Sequence, residues 1–354
     1  MLVCSSCGRE YPEKFLLECE CGGTLLVKRR YGDFREGLLK YLDMRRYLSF
    51  LPVGEDFLPA ITPALTPVVE MDVRGIRGLF KLEYLQPTGS FKDRGTYVTL
   101  AKLREEGISE VVLDSSGNAA ISLAAFSRAE GVTAHIFVPA HASRGKLALL
   151  EKLGARLHII EGTRMEVHRE AVEFAEGNGL VYVSHWLNPY FIEGTKTVTF
   201  ETYEQVGLPD YVLAPTGSGS LFIGLWKGFS ELREMGEIDG LPVFVAVQAG
   251  GYESLCERSG EKSRLAEGIA IPEPARLGEM RRILRETGGT CVSVGDGEIS
   301  NAMEWLWGRG FVVEPTSATV LAALWRLVEG GFIEGGSRVL LPLTGSGLKG
   351  VEGI

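Results

Sequence analysis

The stretch VVLDSSGNAAISLAAFSRAEGVTAHIFVP, residues 111–139, decides the fold class of this chain of 354 residues. Its apolar run at 111–113 has the length of a buried strand, and the Ala-rich part that follows has helical spacing up to Gly131. A second apolar run, 134–138, stops at a proline. Alternation of strand, helix and strand is typical of two parallel strands joined by a crossover helix. The stretch therefore predicts a doubly wound α/β fold.

The same alternation continues beyond this stretch. Further strands are predicted over 157–160, 180–183, 211–214, 243–247 and 338–342. Helical patterns separate them, and the strand at 211–214 leads into a glycine-rich loop. We expect two parallel-sheet domains, a small one over 97–185 and a large one formed by 29–96 and 186–354. Ligands of such sheets bind at the carboxyl ends of the strands, where three glycine-bearing loops fall.

The N-terminal segment has a different character, because four of the six cysteines lie in its first 21 residues. They are Cys4, Cys7, Cys19 and Cys21, in a CxxC and a CxC pair. Two such pairs can surround one Zn²⁺ with thiolates, so residues 1–28 are predicted to form a zinc-ribbon-like segment with a structural zinc. Free thiols, or a ribbon without metal, are the alternative. Cys256 and Cys291 lie alone, and no disulfide framework is predicted.

Composition excludes several classes of protein. Forty-six acidic residues against 37 basic ones give a net charge of -9, which disfavours nucleic acid and anionic membrane surfaces as partners. No apolar run approaches 18 residues and the start lacks the features of a signal peptide, so we expect a cytoplasmic protein. Asn and Gln are scarce, at four and three residues, which is one feature of thermophile proteins.

A reactive lysine is predicted in QPTGSFKDRG, residues 86–95, where a glycine turn brings Lys92 to the start of a helix. The positive end of the helix dipole and burial beside Phe91 both lower the pKa of an ammonium group. A neutral amine is the nucleophile that forms a Schiff base with an aldehyde cofactor, of which pyridoxal phosphate (PLP) is the commonest. Taken alone, the motif fits a solvated surface lysine better, because most lysines are of that kind.

Three further loops carry groups that suit such a cofactor. A strand-to-helix loop whose N–H groups can cradle a phosphate consists of Gly217, Ser218, Gly219, Ser220 and Leu221. By itself it fits a plain turn or a nucleotide site as well. The side chain of Asn118 can donate a hydrogen bond to a phenolate oxygen, and the Thr344 hydroxyl can meet a pyridine nitrogen.

Taken in order, these motifs resemble the fold type II PLP enzymes, which are tryptophan synthase β-like, and within them the threonine synthase family. The likeness spans nearly the whole chain and includes PTGSFKDRG (87–95), SGN (116–118), NPY (188–190), EGTKT (193–197), EPTSA (314–318) and LTGSGLK (343–349). The resemblance implies that Lys92 forms the Schiff base, that Asn118 contacts a PLP oxygen, that 217–221 bind its phosphate and that Thr344 meets its ring nitrogen. It also implies that the small domain moves over the cofactor, and it is compatible with a homodimer.

The chain departs from this family at two positions. Threonine synthases of this type usually have a hydroxyl residue after the cofactor-contacting Asn and an Arg after NPY, where this chain has Ala119 and Phe191. Both losses remove contacts to a substrate phosphate. Replacement contacts are expected from Lys196, Thr195, Ser116, Arg144 or His185, with Arg144 preferred. The predicted substrate-binding residues are Ser115, Ser116, Arg144, Asn188 and Lys196.

The resemblance implies a PLP-dependent lyase that converts O-phospho-L-homoserine and water to L-threonine and phosphate. Three alternatives stay open at this point. The chain is also similar to serine and threonine dehydratases, which form a keto acid and ammonia, and to cysteate synthase, which acts on phosphoserine. The non-enzymatic alternative is a zinc-ribbon module that binds a ligand without turnover. The expected partner is a small amino-acid substrate.

Overall fold

The computed structural model describes residues 1–257 and 261–350. Its strands are β1 (Leu2–Cys4), β2 (Glu10–Tyr11), β3 (Leu25–Val27), β4 (Val68–Val73), β5 (Ile76–Lys81), β6 (Glu110–Asp114), β7 (Thr133–Pro139), β8 (Arg156–Ile160), β9 (Val181–Tyr182), β10 (Tyr211–Pro215), β11 (Val243–Ala249), β12 (Thr290–Val294) and β13 (Arg338–Pro342). The predicted large domain extends to residue 354, and its residues 258–260 and 351–354 lie outside the described part.

Helices follow most of these strands. They are α1 (Phe34–Gly37), α2 (Lys92–Glu105), α3 (Asn118–Ala129), α4 (Arg144–Lys152), α5 (Arg164–Asn178), α6 (Pro189–Thr195), α7 (Thr197–Val206), α8 (Ser220–Glu234), α9 (Leu277–Glu286), α10 (Asp296–Trp307) and α11 (Pro315–Glu329). Short 3₁₀ helices lie at Met44–Phe50, Glu55–Phe57, Glu83–Leu85, Glu267–Ile269 and Gly347–Gly350. In the described part of the chain, none of the helices combines the length and the apolar character that crossing a membrane requires.

Two separate parallel sheets confirm the predicted α/β class. The larger has the order β12-β11-β10-β13-β5-β4, in which only β4 is antiparallel, and the smaller is fully parallel with the order β8-β7-β6-β9. All the predicted strands are present. Strands β4, β5 and β12 were not predicted, because polar residues interrupt their apolar pattern. Residue 97, the predicted start of the small domain, lies inside α2, so the domain boundary stays a prediction.

The topology brings three loops together. Strands β10, β13 and β5 are neighbours and run parallel, so their carboxyl ends lie at one edge of the large sheet. The segments that follow them contain the loop 217–221, Thr344 and Lys92. A backbone hydrogen bond of 3.0 Å from the Phe91 N–H to the Thr344 carbonyl joins two of these segments directly. The edge is therefore the place where the sheet can hold a ligand.

The N-terminal segment is a small antiparallel sheet of order β2-β1-β3 that carries a cluster of thiols. The Sγ atoms of Cys4, Cys7, Cys19 and Cys21 all lie within 4.8 Å of one another. Three of the pairs are 3.5 to 3.6 Å apart. Four sulfurs at about 2.3 Å from a tetrahedral Zn²⁺ are separated by roughly 3.8 Å, so the donor set fits this metal.

A buried arginine ties this ribbon to the rest of the chain. Arg276 donates from Nε to the Trp186 carbonyl at 2.8 Å and from Nη2 to the carbonyls of Leu25 at 3.1 Å and Leu187 at 2.6 Å. Its Nη1 pairs with the Glu279 carboxylate at 2.9 and 3.1 Å. With the guanidinium 1% exposed, one side chain fixes the ribbon, α9 and the segment between the two sheets.

The expectation that Cys256 and Cys291 are unpaired is wrong, because the structure joins them in a disulfide. Cys291 lies on β12 beside β11, and the loop after β11 folds back so that Cys256 reaches it. The Gln248 side chain holds that loop by accepting hydrogen bonds from three backbone N–H groups, 254 to 256. Disulfides are rare in the cytoplasm outside hyperthermophiles. The predicted cytoplasmic location therefore agrees with this disulfide only together with the predicted thermophile origin.

Candidate active site

Lys92 is the first residue of α2 and its amine lies between two aromatic rings. Nζ is 4.7 Å from the Phe91 ring centroid and 5.6 Å from that of Phe191. Burial lowers the pKa of Lys92 to about 8, against the opposing effect of the Glu314 carboxylate. The amine is therefore partly uncharged near neutral pH. The close approach of Phe191 depends on Gly95, where an added Cβ would lie 2.5 Å from the ring.

Buried charged groups hold the start of α2 in place. Asp93 accepts hydrogen bonds from the N–H of Thr88 at 2.7 Å and from its hydroxyl at 2.5 Å. Arg94 forms a bidentate pair with Glu83 at 2.7 and 2.8 Å and contacts Glu201 at 2.8 Å. Sequence analysis missed these positioning residues. Their position directly after the reactive lysine in one motif could have identified Asp93 and Arg94.

The loop 217–221 presents backbone donors at the start of α8. Across residues 1–257 and 261–350, no group accepts a hydrogen bond from the N–H groups of this loop. Gly219 has φ of +89°, and an added Cβ there would lie 2.6 Å from the Met280 Sδ. At Gly217 an added Cβ would lie 2.8 Å from the Ile269 Cα. N–H groups without an acceptor at a helix N-terminus suit a phosphate dianion.

Asn118 faces these groups from the other sheet. It begins α3, after β6, and its Nδ2 donates to the Glu314 carboxylate at 3.0 and 3.1 Å. Its Oδ1 accepts a hydrogen bond of 2.5 Å from the Lys349 ammonium, which also donates to the Gly89 carbonyl at 2.9 Å. The contact joins the small sheet to the large one. Glu314 and Lys349 were not predicted as site residues, although both lie in quoted motifs.

Thr344 is buried just after β13, and its hydroxyl lies 3.1 Å from that of Ser317. Ser317 also accepts the Gly345 N–H at 2.9 Å, which fixes the end of the strand against α11. The structure therefore brings Lys92, the N–H groups of 217–221 and Thr344 to one edge of the large sheet, and Asn118 faces them from the small sheet. An amine of low pKa, an anion cradle, a hydroxyl and a carboxamide are the donor set that PLP requires.

Two of the predicted substrate-binding residues have side chains that are buried in the protein interior, and their part in substrate binding stays a prediction. Asn188 caps α6 by accepting the Tyr190 N–H at 2.9 Å and donates to the Thr99 hydroxyl at 2.9 Å. Lys196 pairs with Glu193 at 2.6 Å and Glu231 at 2.8 Å and is 0% exposed. The polar atoms of both side chains already have partners inside the fold.

The other three lie at the carboxyl edge of the small sheet. Ser115 and Ser116 follow β6, and the Ser115 hydroxyl accepts the Gly117 N–H at 3.2 Å. Arg144 begins α4, after β7, and is exposed. Their part in substrate binding stays a prediction.

A small cavity of about 10 Å³ lies against Phe191, whose ring contacts the Lys92 amine, and its lining is mostly apolar. Its walls include Thr96, Ala119, Phe191 and His185. The Thr96 hydroxyl is 2.8 Å from that of Ser122 and so has a partner. The Nδ1 of His185 is buried and no described residue forms a hydrogen bond with it. Burial lowers the pKa of His185 well below its usual range, and the charges of Lys92 and Arg164 add to this effect.

Known proteins are similar to this chain in sequence and in architecture. The family model described as pyridoxal-phosphate dependent enzyme matches residues 62–345. The threonine synthase of Methanocaldococcus jannaschii is 31% identical over 98% of this chain and 92% of its own length, and that of Mycobacterium leprae is 32% identical over 86% and 87%. A solved threonine deaminase of Solanum lycopersicum has a TM-score of 0.72 at 22% identity, covering 95% of this chain and 94% of its own, which supports the fold alone.

These matches confirm the predicted fold type II class and PLP as the cofactor. The family model spans more than half of the chain, and the curated relatives match along nearly all of it. The chain belongs to the family of pyridoxal-phosphate dependent enzymes and, within it, to the threonine synthases.

Proposed function

We propose that this chain is a lyase that converts O-phospho-L-homoserine and water to L-threonine and phosphate. The single observation that carries the proposal is the convergence at one sheet edge of Lys92, with a pKa of about 8, and the free N–H groups of the loop 217–221. The threonine synthases that match nearly the whole chain supply the reaction.

PLP fits the residues at this edge. When bound, it supplies an aldehyde carbon that condenses with amines and a ring that withdraws electrons from the substrate α-carbon. Lys92 would hold the aldehyde end, the N–H groups of 217–221 the phosphate, Asn118 the phenolic oxygen and Thr344 the ring nitrogen. A hydroxyl such as that of Thr344 leaves a pyridine nitrogen largely unprotonated, unlike a carboxylate.

Lys92 is also the group that moves protons. Its Nζ would accept the α-proton of the substrate, which requires an uncharged amine near the working pH. The pKa of about 8 provides that. Phe91 and Phe191 flank Nζ and keep water from the reacting atoms, while Asp93 and Arg94 keep the start of α2 fixed.

The small domain, proposed over 97–185, is positioned to close over the site. Contacts from α3 and α4 to the rest of the chain include Asn118 to Glu314 and the Lys146 ammonium to the Glu267 carboxylate at 3.0 Å. Closure of this kind excludes water and commits the substrate.

A second candidate is β-elimination from serine or threonine, which gives a keto acid and ammonia. One feature of the pocket favours β-elimination, because the side chains of Ala119 and Phe191 offer no polar group to a phosphate. A smaller, uncharged substrate side chain suits these walls.

Parallel incubations of the PLP-loaded protein with O-phosphohomoserine and with threonine separate the two candidates. Equal amounts of phosphate and threonine from the first substrate support the proposal. Keto acid from threonine, with no phosphate released from O-phosphohomoserine, contradicts it.

The N-terminal ribbon is proposed to hold one structural zinc through Cys4, Cys7, Cys19 and Cys21. The sulfur spacing of 3.5 to 3.6 Å and the three-stranded sheet around it support this proposal. A cytoplasmic location, a homodimer and the absence of nucleic-acid and membrane partners stay predictions from the sequence.

A further inference from the structure

Two side chains at the carboxyl edge of the small sheet have unused hydrogen-bonding capacity. Arg164 begins α5, which follows β8, and His185 follows β9. Asn118, which faces the large sheet, follows β6. All four strands of this sheet run parallel, so Arg164, His185 and Asn118 lie along one edge of it.

The Arg164 guanidinium is held loosely and faces solvent. It is 55% exposed, and its nearest described charge partner is the Asp114 carboxylate at 3.6 Å. That carboxylate is buried at the end of β6 and already accepts a hydrogen bond from the Tyr182 hydroxyl, with His168 Nδ1 at 3.4 Å. Asp114 therefore orients Arg164 without saturating its five donors.

His185 provides a neutral hydrogen-bonding group beside the reactive amine. Its ring lies 6.1 Å from that of Phe191, which also contacts the Lys92 amine. The Nδ1 is buried without a described partner, which is costly for a polar atom unless a ligand or water completes it. The Asp114 carboxylate that lies 3.6 Å from Arg164 also accepts a hydrogen bond from the Tyr182 hydroxyl at the end of β9, three residues before His185. Arg164 and His185 therefore lie near the same strand end, and, besides burial, the charge of Arg164 helps to lower the pKa of His185.

Other candidates for an anion contact are less suitable. Lys196 and Thr195 are 0% exposed, and the Thr195 hydroxyl donates to main-chain carbonyls. The pocket wall itself presents Ala119 and Phe191. Arg144 is exposed at the same edge and is the competing candidate in the test below.

We propose that Arg164 and His185 form the subsite that receives the anionic distal group of the substrate, a phosphate monoester on the amino-acid side chain. The inference rests on the proposed function and names the residues that would bind the phosphate group of its substrate. Arg164 supplies the charge and a planar pair of N–H donors, and His185 supplies a neutral ring N–H. Specificity then comes from the small domain and is completed when that domain closes.

The test compares two ligands of the PLP-loaded protein that cannot react to product. One is the phosphonate analogue of O-phosphohomoserine in which CH₂ replaces the ester oxygen, and the other is L-2-aminobutyrate, which lacks the phosphate. Affinities are read from the change in cofactor absorbance. The variants are Arg164→Met, Arg164→Lys and His185→Asn, with Arg144→Met for the competing candidate. The matched control is Arg169→Met, because Arg169 lies on the same helix, is 60% exposed and pairs with Glu173.

Because Arg164→Met removes a charge-assisted contact, it should weaken phosphonate binding by about 10-fold or more. The affinity for aminobutyrate should change by less than about twofold. Arg164→Lys should restore part of the loss, His185→Asn should weaken the phosphonate several-fold, and Arg169→Met should change neither ligand. Equal weakening of both ligands by Arg164→Met, or loss caused by Arg144→Met instead, overturns the subsite.

The subsite and the proposed function can fail separately. A wild-type protein that prefers the phosphonate, loses that preference in Arg164→Met and forms no threonine from O-phosphohomoserine supports the subsite and contradicts the reaction. A protein that forms threonine while Arg164→Met binds the phosphonate normally supports the reaction and overturns the subsite.

Discussion

The low pKa of Lys92 makes the rate of cofactor binding depend on pH in a defined way. With a pKa of about 8, about 9% of the amine is uncharged at pH 7, against about 0.03% for an ordinary lysine at 10.5, a gain of roughly 300-fold in nucleophile. Only the uncharged form condenses with an aldehyde. The rate of PLP binding to the cofactor-free protein should therefore rise with pH and level off above a midpoint near 8.

The substitution Glu314→Gln tests what sets the pKa of Lys92. The Glu314 carboxylate favours the charged form of Lys92, so its removal should move the midpoint below that of the wild type, while burial is unchanged. Stopped-flow absorbance between pH 6.5 and 10.5 measures both midpoints, and the PLP phosphate, with a second pKa of about 6, titrates below this range. Lys92→Ala is the blank. A midpoint near 10.5, or an upward shift in Glu314→Gln, refutes the reasoning.

Three further predictions concern the phosphate loop, the arginine that ties the ribbon and the metal. At Gly219, φ is +89° and Met280 blocks an added Cβ, so Gly219→Ala should lower PLP affinity by about 5- to 30-fold in a fluorescence titration. Gly236 has a similar φ of +81° but lies outside the loop, so Gly236→Ala should leave PLP affinity unchanged. Arg276→Met leaves buried groups unpaired and should lower the melting temperature by roughly 5 °C in calorimetry, against little change for the exposed Arg282→Met. Elemental analysis should find one zinc per chain, and a serine at any of the four N-terminal cysteines should remove it.

Local patterns were sufficient for the architecture of this chain and for the motif residues. The strands with continuous apolar runs, such as β6 and β7, were predictable because burial on both faces imposes that composition. The loops that carry Lys92, Asn118 and Thr344 were predictable because glycine and the strand ends mark them. Edge strand β4 and strand β12 were not, since their exposed or polar positions break the pattern.

Residues whose role depends on distant contacts could not be placed from the sequence. The ammonium group of Lys196 could bind an anion, but it pairs with Glu193 and Glu231 inside the fold. The disulfide joins cysteines 35 residues apart through the pairing of β11 and β12. Arg164 lies in a charged helix without a motif, and only the parallel order of the small sheet brings it to the edge that faces Lys92.

The most direct test of the account is to trap the link between the cofactor and the chain. The PLP-loaded protein is reduced with borohydride, digested and mapped by mass spectrometry. The account predicts a single pyridoxyl group, on the peptide that contains Lys92, and a loss of the visible absorbance. Modification of another lysine, or an intact protein that takes up no PLP at all, would contradict it.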